Sequence, residues 1–179
     1  MNISNALTVS RIFMVPVIAL LLIHDNLIQS VVAASIFGIA MVTDFLDGYF
    51  ARKYHQESDL GKLLDPLADK FLIGTVLIML IPLNRISALI VAIIIARELA
   101  VTGLRSIAAE KKIIIAADWL GKYKTAFQCV ALIPLIVHYP ILGLQFQLAG
   151  DFFIIIALFF SIWSGVDYFI SYIKATAQA

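Results

Sequence analysis

Apolar runs follow one another along almost the whole chain, broken only by short polar turns and by a few charges that lie inside the runs themselves. A bilayer crossing takes about 20 mainly apolar residues. Six candidate segments stand out, roughly 11–24, 28–53, 61–82, 85–110, 118–138 and 148–173, separated by turn signals at Asp25-Asn26, at Pro82-Leu83-Asn84 and at Tyr139-Pro140 with Gly143. Of the 179 residues, 62% are hydrophobic and 14% charged, against about 25% charged in soluble domains. Water could not solvate such a surface; lipid can. In lipid every backbone polar group must be satisfied internally, so the expected fold is all-α. The spacing predicts six transmembrane helices in one domain over 1–179, preceded by an amphipathic juxtamembrane helix in the first ten residues. There is no internal repeat and no low-complexity tract.

Lysines and arginines set the orientation. With a cytoplasmic N-terminus, the inner segments carry Arg11, Arg52, Lys53, Lys62, Arg105, Lys111, Lys112, Lys122, Lys124 and Lys174, and the outer loops only Arg85. Lys111 and Lys112 read as topology residues. Trp119, Trp163, Tyr123 and Tyr168 fit interfacial anchors near span ends. The polar opening Asn2-Ile3-Ser4-Asn5 and the want of a small-residue cleavage site before His24-Asp25 do not fit a cleavable signal peptide. A net charge of +1 gives no footing for a nucleic-acid partner. Cys129, the single cysteine, reads as a buried thiol. His24, His55 and His138 are too scattered for a metal set. Asp118 is a candidate cap for the fifth span, and Asp151 is expected to be exposed.

Carboxylates inside a span cost about 2.5–3.5 kcal/mol each at mid-helix and mark function by default. Four lie in two consecutive spans, Asp44 and Asp47 near the end of the second, Asp65 and Asp69 near the start of the third. Spacings of three and four residues put each pair on one helix face. The connecting loop centres near Gln56, with Asp47 and Asp65 nine residues to either side and Asp44 and Asp69 twelve and thirteen. Antiparallel helices would therefore level Asp47 with Asp65 and Asp44 with Asp69, the two levels about 5 Å apart. Four such charges repel unless a cation meets them. One or two hard cations, Mg²⁺ or Mn²⁺, suit the all-oxygen donor set. The competing structural reading is a set of ion pairs with Arg52, Lys62 and Lys70. Gly48 and Ala51 share the Asp44/Asp47 face and leave a groove where a base or diphosphate could approach, and Arg52 can pair with a phosphate.

Written in order, Asp44-x2-Asp47-Gly48-x2-Ala51-Arg52-x8-Gly61-x3-Asp65-x3-Asp69 resembles the signature of the CDP-alcohol phosphotransferases, with each fixed position matched. The segments Asn5-Ala-Leu-Thr8-Val-Ser-Arg11, Ala96-Arg97-Glu98 and Gly121-Lys122-Tyr-Lys124-Thr125 are similar to the bacterial phosphatidylglycerophosphate synthases. That branch joins CDP-diacylglycerol to sn-glycerol 3-phosphate and releases CMP. The resemblance implies a homodimer in the bacterial cytoplasmic membrane, with its site open to the cytoplasm. It implies two metal ions held by Asp44, Asp47, Asp65 and Asp69, with Asp69 also the general base. Nucleotide contacts would fall to Thr8, Gly48, Ala51, Arg52 and Ser58.

An acceptor that is itself a phosphate ester asks for a basic site, for which Arg105, Lys122, Lys124 and the deeper Arg97 are the candidates. The neighbouring alternatives are the same chemistry on another acceptor (inositol phosphate, serine or a phospholipid) and a cation carrier. Carriers place their sites at the midplane, often between repeated halves. Here the acids lie near one surface, and no repeat is visible.

Overall fold

The computed structural model describes residues 3–54, 59–111, 119–141 and 143–177, with side chains described for 10–44, 67–111, 119–141 and 143–177. Among the described residues six helices follow in order: α1 (Ile3–Leu21), α2 (Leu27–Tyr54), α3 (Asp59–Leu80), α4 (Ala88–Glu110), α5 (Trp119–Val137) and α6 (Phe146–Ala177). Among the described residues there is no strand, only an isolated bridge between Ile141 and Leu144. The all-α expectation holds.

Local chemistry explains the breaks. The Asn26 side chain accepts from the backbone N–H of Ile28 (2.9 Å) and of Gln29 (3.3 Å), capping α2. Ser87 does the same for α4 by accepting from Leu89. His138 at φ 60° and Gly143 at φ 79° turn the chain between α5 and α6. One expected break is not there. No glycine or proline lies between Ser4 and Val15, and α1 runs unbroken from Ile3 to Leu21. The juxtamembrane segment and the first span form one helix.

The helices hold 19 to 32 residues, about 28 to 48 Å at 1.5 Å per residue, against a hydrocarbon core of about 30 Å. Among the described residues three stretches are long and apolar enough to cross a membrane, namely Leu27–Asp44 of α2, Trp119–Val137 of α5 and Phe146–Ala177 of α6. The charges of α3 and α4 interrupt their apolar windows, and the apolar part of α1, Ser10–Leu21, is short. Among the described residues much of the outside is greasy, with Ile28 (73%), Phe13 (70%) and Leu99 (69%) among many large exposed apolar side chains. A surface this apolar calls for lipid or protein against it. Buried inside, by contrast, are Arg11, Ser30, Arg85, Lys124, Gln128, Ser161 and Ser164.

α5 and α6 form the most extensive packed pair, α1 packs on α2 and α3, and α4 packs on α6. Gly150 makes the α5–α6 approach possible: a Cβ there would lie 2.6 Å from Leu135 Cγ and 3.1 Å from the Leu135 backbone nitrogen. At the end of the bundle where the α1–α2, α3–α4 and α5–α6 connections lie, Arg85 is fully buried. Its guanidinium donates to Asp25 (2.5 Å), to Ser30 Oγ (3.0 Å) and to the Ile136 carbonyl. Tyr139 donates to the same Asp25 oxygen (2.7 Å), and Gln147 donates to the Arg85 carbonyl (2.9 Å) and to Asp151 (2.8 Å). Asp151 is therefore half-buried and bonded rather than exposed, and His138 pairs with Gln147 (2.8 Å). The one basic residue set apart from the others in the sequence staples three loops together.

Two predictions follow from this packing. Gly150→Ala forces Leu135 to shift at its branch point, and overpacking of this kind costs about 1–3 kcal/mol. A lowered Tm in detergent is expected, and an unchanged Tm would refute the close approach. The Tyr139 hydroxyl, and next the Arg85 guanidinium, hold the Asp25 carboxyl below its ordinary range. A carboxyl depressed on folding contributes stability that is complete above its unfolded pKa and is lost as pH falls through the folded one. Asp25→Asn should therefore lower Tm at neutral pH and flatten its fall on acidification below about pH 4; acid melts parallel to wild type would contradict the linkage.

Candidate active site

Among the described residues, α1 packs on both of the helices that carry the aspartates, α2 and α3. Arg11 projects from α1 at the point of closest need. Its side chain is 3% exposed, with Nη2 2.7 Å from Asp44 Oδ1 and Nη1 2.9 Å from Asp69 Oδ1. One guanidinium thus joins one oxygen of each carboxylate, so Asp44 on α2 and Asp69 on α3 stand at a common level. That level is the one expected from counting residues about the loop. The helix that carries Arg11 is not visible in such a count. Asp44 lies about 26 Å along α2 from Leu27, well away from the Arg85 staple.

Asp47, Gly48, Ala51 and Arg52 lie on α2, Asp65 on α3 and Thr8 on α1, but their side chains lie outside those described, and Ser58 and Asp118 lie outside the described residues altogether. Among the described residues no group of three or more metal-binding side chains occurs. The described half of the expected ligand set, Asp44 and Asp69, is nevertheless gathered on a single cation. Two carboxylates drawn to one positive charge are a donor set of the hard kind that Mg²⁺ or Mn²⁺ takes.

Beside Asp44 opens a recess of about 820 Å³ lined by charged residues of three further helices. Arg97 and Arg105 on α4 and Lys122 and Lys124 on α5 all face it, so the four residues expected to form a basic site come together. They are not equivalent. Lys124 is buried and donates to Glu98, and Arg97 donates to the same Glu98 oxygen at 2.9 Å. Arg97 is also tied to α6, through its Nε to the Ser161 carbonyl (3.0 Å) and its Nη2 to Ser164 Oγ (2.7 Å). Gly165 lets α6 come this close, since a Cβ there would lie 3.1 Å from Arg97 Cγ. Arg105 and Lys122 sit at the mouth, Arg105 5.7 Å from the centre of the Tyr168 ring and Lys122 4.6 Å from that of Trp119. Tyr168 is thereby buried under Arg105 rather than standing as an interfacial anchor.

A second recess of about 660 Å³ runs between α3 and α4. Its polar end holds Asp69, Lys70, Lys124 and Gln128, and the rest is apolar, with Phe71, Leu77, Ile94 and Leu99 in its walls. Lys70, Glu98, Thr102, Lys124 and Thr125 border both recesses, and Lys70 donates to Thr102 (2.5 Å) where they meet. A charged chamber therefore adjoins an apolar slot, which suits a ligand with a polar head and a greasy tail. Gln128, 2% exposed, has a buried Nε2 without a partner. Cys129 borders the charged chamber, its sulfur 3.9 Å from that of Met41.

Residues 1–163 match the profile described as CDP-alcohol phosphatidyltransferase. The chain belongs to that family. Among curated relatives, a CDP-diacylglycerol–glycerol-3-phosphate 3-phosphatidyltransferase of Rickettsia typhi is 39% identical over 169 residues, covering 94% of this chain and 95% of its own. The protein of that name in Bacillus subtilis is 36% identical over 184 residues (94% and 93%), and that in Mycoplasma genitalium 35% over 193 (93% and 82%). Similarity end to end agrees with the resemblance read from the aspartate signature.

Spacing missed one feature of this family member's site: Arg11 reads in the sequence as one more inner-side basic residue, and a lone arginine between two apolar runs is the available signal. Arg97 beside Glu98 inside a span asks for partners on other helices, and Lys124, Ser161 and Ser164 are those partners. Removing one member of a buried charge pair costs about 3–5 kcal/mol. Glu98→Gln should therefore lower Tm sharply, and adding Lys124→Met should recover part of the loss. A double variant as unstable as the sum of the two single ones would mean the pair is not coupled.

Proposed function

We propose that this chain transfers the phosphatidyl group of CDP-diacylglycerol to sn-glycerol 3-phosphate, giving phosphatidylglycerophosphate and CMP in phospholipid biosynthesis. The observation that carries this reading is the end-to-end similarity to relatives named for that reaction. The recess supports it, since Asp44 and the basic residues of α4 and α5 share one chamber beside an apolar slot. On this reading the chain is a single domain of six spans in the cytoplasmic membrane of a bacterium, paired as a homodimer and facing the cytoplasm with its charged chamber. The charges of α3 and α4 that interrupt their apolar windows are the site itself, turned inward.

Asp44, Asp47, Asp65 and Asp69 would hold the divalent metal, Mg²⁺ or Mn²⁺, as two ions. Bound there, it would neutralise the diphosphate and favour CMP as a leaving group. Thr8, Gly48, Ala51, Arg52 and Ser58 would receive the cytidine nucleotide. Arg105 and Lys122 at the mouth would draw in the acceptor phosphate, and Lys124, oriented by Glu98, would fix it deeper in the chamber. Arg97, tied to α6 and to Glu98, holds that arrangement and lends its charge. The acceptor hydroxyl oxygen bonds to the lipid-bearing phosphorus as the bond from that phosphorus to the CMP oxygen breaks, and Asp69 takes the hydroxyl proton. The slot between α3 and α4 offers the acyl chains a path that leaves the headgroup at Asp69.

The test is CMP release by purified protein with CDP-diacylglycerol and a panel of acceptors, with Mg²⁺ or Mn²⁺ and with chelator. Glycerol 3-phosphate should support release that chelation abolishes. Release with inositol phosphate or serine instead would reassign the acceptor, and release that survives chelation would remove the metal. Asp69→Asn should stay folded and lose about 10²–10⁴-fold in turnover, the range of a general base. Turnover at the wild-type rate would rule that role out.

A further inference from the structure

Between residues 10 and 21 of α1, only Arg11 and Ile18 are buried. Ile18 belongs to the apolar core. Toward the N-terminal side Arg11 is the buried anchor, and what it grips is Asp44 and Asp69. Its fork uses one oxygen from each, the arrangement a bridging cation would adopt, while its Nε is buried with no partner. A buried donor left unpaired is costly, so this pose is held by the two carboxylates and not by a fully satisfied pocket. A divalent ion drawn to the same two oxygens carries twice the charge of the guanidinium and repels it at contact distance.

The geometry points to Arg11 as a built-in counter-cation. It holds Asp44 and Asp69 at a common level in the metal-free protein, is displaced when divalent metal takes those oxygens, and so couples metal loading to release of the near end of α1. This rests on the reading of the aspartates as a metal site. The consequence for the reaction is an order of events. α1 carries Thr8 and leads to the N-terminus, so the helix end proposed to cover the nucleotide is freed when the metal arrives. Arg11 is on this account a positioning residue, acting through the carboxylates it holds.

The test is Mn²⁺ binding to the detergent-solubilised full chain, followed by the loss of free Mn²⁺ signal in electron paramagnetic resonance, alongside thermal melts with and without Mn²⁺. Arg11→Gln removes the competitor, and Mn²⁺ should bind roughly tenfold more tightly, on the scale of a charge-assisted hydrogen bond given up. The same variant should melt lower than wild type when metal-free, with the gap closing at saturating Mn²⁺. Arg11→Lys keeps the charge and loses the fork to two carboxylates, so it should also bind Mn²⁺ severalfold more tightly. It decides the matter if the glutamine variant does not fold. Affinity in Arg11→Lys equal to wild type would mean that charge alone acts, and weaker binding in either variant would mean that Arg11 belongs to the loaded site. Both results overturn the inference. A wild-type chain without saturable Mn²⁺ binding would instead defeat the metal site on which it rests.

Discussion

A carboxylate carried into a bilayer has to meet a positive charge, and among the described residues this protein meets several of its carboxylates with buried basic side chains. Asp44 and Asp69 are met by Arg11, Glu98 by Lys124 and Arg97, and Asp25 at the far end by Arg85. The Arg11, Lys124 and Arg85 contacts join different helices or loops, whereas Arg97 and Glu98 are neighbours on α4. Ion pairs are weak sources of net stability once desolvation is counted, but they fix which helix stands beside which. In a protein with so many apolar side chains facing outward, the hydrophobic effect cannot choose among helix arrangements, because lipid solvates every greasy face alike. Buried polar contacts can. That is why the polar interior, and not the apolar exterior, specifies the bundle.

The same economy produces the site. Charges that must be paired inside the bundle also make a chamber able to hold a charged ligand, and the chamber opens beside a slot with apolar walls. Glycines at 150 and 165 let α6 draw close to α5 and to Arg97, so that α6 supplies Ser161 and Ser164 as partners for the arginine. The α5–α6 pair is in this way a fixed wall, with Lys124 on one side of it. Across the chamber α1 is held by a different bond, one that depends on the state of the carboxylates.

Much of this could be read from the residues in order. The apolar runs gave the helices within a few residues, and counting from Gln56 put Asp44 level with Asp69. Basic residues near the ends of α4 and α5 announced a shared chamber because consecutive helices bring their adjoining ends together. What could not be read was which helix packs on which. α2 and α3 are neighbours in sequence, yet among the described residues each packs on α1, and so Arg11 became visible as the partner of two aspartates only in three dimensions. Arg85 shows the same limit, since the order of residues places it between α3 and α4 but does not show the loops that close over it. Continuity of α1 was legible in principle, because its first half holds no breaker, but the change from polar to apolar composition near residue 10 masked it.

Anomalous diffraction from crystals grown with Mn²⁺ and CDP-diacylglycerol addresses the account at its centre, the claim that the aspartates face a metal on which the diphosphate rests. Density for manganese is expected about 2.0–2.2 Å from carboxylate oxygens of both Asp44 and Asp69, with the guanidinium of Arg11 no longer on those oxygens. Manganese bound elsewhere, or bound while Arg11 still bridges the two carboxylates, would contradict it.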